Sequence, residues 1–104
     1  MKAIGKNING EEIEIKINDE NVSCTNNHLT ELTIPNGVII VFCFNNKLTE
    51  LHLPNGVENV YCYNNPIKEL TLPKSIKYAY LPLNCNVTNL DEFKNRTDLY
   101  IKFR

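Results

Sequence analysis

The chain has 104 residues, of which 42% are hydrophobic and 22% charged, and a net charge of -1 at pH 7. That length allows one small domain, and the near-neutral balance argues against a general nucleic-acid binder, which carries a basic stripe. No apolar run reaches the length of a signal peptide or a membrane span, so the chain reads as a cytoplasmic protein with reduced thiols.

Lys2 to Ile8 and Glu11 to Ile17 flank Asn9-Gly10, a two-residue hairpin signal. Ile13, Ile15 and Ile17 alternate with charged residues, as a half-buried strand does. Residues 1–18 are therefore expected to form a hairpin cap. Ile13 and Ile15 lie 19 residues before Leu32 and Ile34, so the second arm is expected to double as half of a degenerate first coil.

Residues 19–90 carry a repeat of 19 residues. Three stretches, Val22 to Pro35, Val41 to Pro54 and Val60 to Pro73, align without a gap. A period of this size predicts stacked coils, each sharing a core only with its neighbours. With Val22, Val41, Val60 and Ala79 set as position 4, position 6 is Cys24, Cys43, Cys62 and Leu81. Positions 4 and 6 then point inward from a short strand, and each coil adds one strand to a parallel sheet. Leucine or isoleucine recurs at positions 11, 14 and 16, and asparagine at position 9 (Asn27, Asn46, Asn65, Asn84). That asparagine is expected to bond backbone groups freed where the chain leaves the strand. Pro54 follows Leu51 and Leu53, which predicts an extended return segment and no helix. Asn36-Gly37 and Asn55-Gly56 supply turns, and Lys74-Ser75 replaces them in the third coil.

The pattern L-x-x-L-x-L-x-x-N-x-L resembles the leucine-rich repeat. Leu48 to Val57 resembles half of a BspA-like repeat, and the Cys-x-Asn-Asn-x-Leu-Thr-Glu-Leu half resembles bacterial repeats with cysteine at position 6. The resemblance implies a mainly β, short right-handed leucine-rich-repeat solenoid with a parallel sheet, an N-terminal hairpin cap and little or no helix. It implies a binding scaffold and no catalytic residues. The Asn, Lys and Ile bias fits an AT-rich bacterial, phage or viral genome.

Past the third repeat, one extra residue is expected near Cys85-Asn86, with Val87 and Leu90 at positions 11 and 14. Residues 91–104 are expected to cap the far end. Asn89 and Glu92 predict one capped helical turn through Phe93, and a closing strand is expected at 98–103 with Leu99 and Ile101 at positions 4 and 6.

Positions 3, 5 and 7 point away from the core, onto the face expected to be concave. Seven of the nine aromatic residues fall there. In-register rings stabilise a sheet, but a contiguous apolar surface on a small protein also marks an interface. Ile40, Phe42, Phe44, Tyr61, Tyr63, Tyr78, Tyr80 and Tyr100 are the predicted partner-binding residues. The expected partner is a protein, as in an inhibitor that masks a host protein. Stacking recognition of carbohydrate or single-stranded nucleic acid and self-association through the same face are the alternatives.

Glu12, Glu31, Glu50 and Glu69 form a second row, expected to be a solvated ridge. Cys24, Cys43 and Cys62 read as a stack of buried thiols, with Cys85 exposed at the irregular corner. Without a C-x-x-C element a zinc site is not expected, and His28 and His52 read as surface residues. No cofactor, metal or catalytic residue is expected.

Overall fold

The computed structural model describes residues 1–104. The chain is mainly β and winds as a solenoid of about four turns. The first three strands are β1 (Lys2–Asn7), β2 (Glu12–Asn18) and β3 (Asn21–Ser23). Then come β4 (Leu29–Thr33), β5 (Ile40–Phe42), β6 (Asn59–Tyr61), β7 (Glu69–Leu70), β8 (Tyr78–Leu81), β9 (Asn86–Val87) and β10 (Tyr100–Phe103). An eight-stranded sheet runs β10-β8-β6-β5-β3-β2-β1-β4, and β7 pairs with β9.

The 19-residue period becomes strand register. Val22 lies beside Val41, Val41 beside Val60, and Val60 beside Ala79, all in parallel pairs. Side chains alternate across a strand, so positions 4 and 6 enter the core together. Val22, Val41, Val60, Cys43 and Cys62 are wholly buried there, with Leu29, Leu48, Ile67, Leu70 and Leu72 closing the core from the return side.

The N-terminal cap is a hairpin, but its loop is three residues, Ile8 to Gly10, and not two. Lys6 pairs with Glu12, the Gly10 N–H donates to the Asn7 carbonyl, and Gly10 takes φ 78°. Asn7 Oδ1 accepts the N–H groups of Asn9 and Glu11, each at 3.0 Å, which holds this longer loop shut. The expected degenerate coil does not form. β2 turns back antiparallel onto β3 through Asp19 and Glu20, both at positive φ, while β1 and not β2 lies against β4. The hairpin thus wraps the end of the stack from its sheet to its return side and covers both edges.

The corners use asparagine twice. The first of each Asn-Asn pair (Asn26, Asn45, Asn64) takes the left-handed conformation at φ 56–60°, which asparagine tolerates. The second acts as the expected staple, but only inside the stack. Asn46 and Asn65 are buried and bond to backbone of two coils. Asn27 is exposed because no coil precedes it, and Asn84 is exposed at φ 67° in a different turn. Gly37 and Gly56 take φ 100° and 106° as the Asn-Gly turns require. Where Lys74-Ser75 replaces that pair, the Ser75 hydroxyl accepts the Gly56 N–H at 2.9 Å and donates to the Val57 carbonyl at 2.7 Å, tying the third corner to the second.

The last coil departs most from expectation. Leu70 pairs with Val87, so Val87 takes position 14 and not 11. The corner after Leu81 is therefore shorter, not longer, and closes through a Cys85 N–H to Pro82 carbonyl bond of 3.2 Å. Cys85 is turned inward and buried, contrary to its expected exposure, while Leu90 is 51% exposed. A 3-10 turn covers Leu90–Phe93 as expected, yet the Asn89 side chain does not cap it. Its amide instead bonds the N–H and carbonyl of Leu72, at 3.0 and 2.8 Å. β10 closes the sheet two residues out of the expected register. Tyr100 pairs with Tyr78, Ile101 with Ala79 and Phe103 with Leu81, so Ile101 and Phe103, and not Leu99 and Ile101, hold positions 4 and 6.

Candidate aromatic interface on the sheet

Parallel strands pair in register, so a residue at position 5 meets its counterpart about 4.8 Å away. Flat rings placed at that spacing stack. The Phe42 and Tyr61 centroids are 4.9 Å apart with planes 8° from parallel. Phe44 and Tyr63 sit 4.7 Å apart, tilted by 41°. Tyr80 turns edge-on to Tyr61 at 4.9 Å. Tyr100 then contacts both Tyr78 and Tyr80 at 6.0 Å. All eight predicted residues lie off the core: Ile40, Phe42, Phe44, Tyr61, Tyr63 and Tyr80 are half-buried, and Tyr78 and Tyr100 are exposed. Phe42 links to Tyr61, Tyr80, Tyr100 and Tyr78 in one continuous chain of ring contacts, with Phe44 and Tyr63 as a parallel column.

One assignment within this surface changes. The shifted register moves Tyr100 from position 5 to position 3, beside Tyr78, and puts Lys102 beside Tyr80. Arg104, outside the predicted set, joins this surface. Its guanidinium lies 4.7 Å from the Tyr63 centroid, a cation over a ring face. Only the register of β10 carries it there.

The two margins of the surface are polar. On one side run Glu20, Glu58 and Lys77, interrupted by Ile39, with a Lys77–Glu58 ion pair at 3.5 Å. On the other lie the left-handed asparagines, with Asn64 donating to Asn45 Oδ1 at 2.5 Å. An apolar centre with a polar rim is the usual anatomy of a protein interface.

The acidic row lies on the return side. Glu31, Glu50 and Glu69 are exposed along an open groove of about 1140 Å³, with His52, Lys68 and a line of threonines. Residues 49–53 beside it make no backbone hydrogen bonds to the coils on either side. Glu12 lies apart from it on β2, paired with Lys6. Both histidines are exposed.

The thiols behave as core groups. Burial pushes Cys24 up to about 12, and Cys43, Cys62 and Cys85 are raised by burial too. Cys43 is raised further by the neighbouring thiols of Cys62 and Cys24. All four are free.

Searches against protein-family models, curated proteins and solved structures give no match to this chain.

Proposed function

We propose that this chain is a non-enzymatic protein-binding module of the leucine-rich-repeat type, which engages its partner through the aromatic face of its sheet. The observation that carries this reading is the unbroken run of rings from Phe42 to Tyr100, framed by polar margins. Large, rigid aromatic side chains lose little freedom on binding and are enriched among the residues that dominate interface energies. Four buried, unpaired thiols suit a reducing intracellular setting.

The same geometry ranks the alternatives. A sugar or base stacks on the face of a ring, but the faces here are largely occupied. Phe42 covers Tyr61, Phe44 covers Tyr63, and Arg104 lies over Tyr63. What the inner rings present outward is edges and phenol hydroxyls, which suit a protein surface better than a stacked ligand.

The test is capture of a partner from the native host by Phe42→Ala with Tyr61→Ala, beside Glu50→Ala on the opposite side. The aromatic pair also stabilises the sheet, so the double variant is expected to lose about 1–3 kcal/mol of stability yet stay folded. It should lose the partner, and Glu50→Ala should keep it. A folded double variant that captures the same partner as well as the parent would refute the reading.

A further inference from the structure

The eight-stranded sheet ends at β10, and exposed apolar side chains gather toward that end among charged ones. Seven large hydrophobic side chains are exposed, and five of them (Tyr78, Leu83, Leu90, Tyr100 and Phe103) belong to the last coil and closing strand. A solenoid normally closes with a polar outer surface. The opposite end is covered by the β1–β2 hairpin, and the outer edge of β10 has no strand beside it.

The backbone of β10 shows what fits there. The Tyr100 and Arg104 N–H groups donate to Lys77 and Leu81 carbonyls, each at 2.8 Å, and the Arg104 carbonyl accepts from Leu83. Backbone groups alternate in direction along a parallel pair. Those of Tyr100, Lys102 and Arg104 therefore face the sheet, and those of Leu99, Ile101 and Phe103 face outward. A second β10 laid antiparallel, centred on Ile101 opposite Ile101, places outward groups against outward groups. Ile101 then exchanges two bonds with its counterpart, and Leu99 and Phe103 exchange two more on each side.

Side chains agree with that register. Phe103 meets Leu99 twice on the apolar side, and Tyr100 meets Lys102 twice on the aromatic side, a pairing of cation with ring. Moving the centre to Lys102 sets two like charges directly opposite each other, which is unfavourable. A self-complementary edge of this kind is the requirement for a two-fold contact.

We propose that the chain forms a two-fold dimer by pairing its β10 edge, antiparallel and centred on Ile101, with that of a second copy. The two sheets become one, and their aromatic faces lie side by side. The site is separate from the stacked rings of Phe42 and Tyr61.

Light scattering on the size-fractionated full chain tests this. The expected mass is twice the 12.0 kDa of one chain, and a monomer at high micromolar concentration would overturn the proposal. Tyr100→Lys sets two lysines against Lys102 of the other copy and should give a monomer with an unchanged circular dichroism spectrum. Adding Lys102→Glu restores opposite charges and should restore the dimer. A dimer that survives Tyr100→Lys, or one that the second change does not restore, overturns the site or its register. Phe42→Ala with Tyr61→Ala should remain dimeric, and loss of the dimer there would place the contact on the ring face instead.

Discussion

Asn27 and Asn46 occupy the same place in the repeat, and the structure gives them opposite energetic weight. Asn46 is 4% exposed. Its Oδ1 accepts the N–H groups of Asn27 at 3.1 Å and Leu29 at 3.0 Å. Its Nδ2 donates to the carbonyls of Cys24 and Cys43 at 3.0 Å and of Phe44 at 3.4 Å. In Asn46→Ala two buried backbone groups, the Leu29 N–H and the Cys24 carbonyl, lose their side-chain partner, while the Cys43 carbonyl keeps the Asn65 amide at 3.0 Å. Each buried group left unsatisfied costs about 1–3 kcal/mol, so the expected loss is about 2–6 kcal/mol. That is a large share of the roughly 5–15 kcal/mol that holds a small domain together. Asn46→Asp is expected to do no better, because it turns a negative oxygen toward three carbonyls. The Asn27 side chain is exposed and makes no bond of its own, so Asn27→Ala should change stability by about 0.5 kcal/mol or less. Urea unfolding followed by circular dichroism measures both. Two midpoints within about 1 kcal/mol of each other would refute the idea that the asparagine staple works only between two coils.

Asp19 and Glu20 sit at φ 50° and 68°, in a two-residue turn that favours Asn-Gly. Asp19→Asn with Glu20→Gly should raise the thermal midpoint through relief of about 1 kcal/mol of left-handed strain; an unchanged or lower midpoint would show the turn is not strained. Gly5 lies under Leu29, whose Cδ2 would come within 2.9 Å of an added Cβ. Gly5→Ala should therefore cost about 1–3 kcal/mol by overpacking, and a neutral effect in the same urea assay would mean Leu29 has room to move. The thiols predict a pH effect. An unfolded cysteine loses its proton near its ordinary value of 9.0, while folded Cys24 holds its proton up to about 12. The unfolded chain then binds fewer protons, so stability falls as pH rises above about 9. Urea midpoints at about pH 7 and about pH 10 should show that fall, and Cys43→Ala should show less of it; identical slopes would refute the thiol contribution.

Much of the molecule was legible because a strand and a repeat are both periodic. Residues 19 apart must become neighbours once the coils stack, so inward Val and Cys columns and outward rings followed from position alone. The same logic placed the turns at Asn36-Gly37 and Asn55-Gly56. It failed wherever the pattern loses a neighbour or a residue. Nothing in the repeat tells that Asn27 lacks a coil to staple, and Asn89 matches a helix cap locally while its amide serves Leu72.

The sequence by itself determined which side chains are sealed in the stack and which rings line up outside it, because both depend only on spacing along a strand of period two. The tertiary structure alone decided the two ends. β1 wraps across to β4, Cys85 turns inward at a shortened corner, and β10 slides so that Tyr100 stands beside Tyr78 and Arg104 reaches Tyr63. At an end, register is set by which unpaired backbone edge the next segment can reach, and that is a property of the assembled sheet.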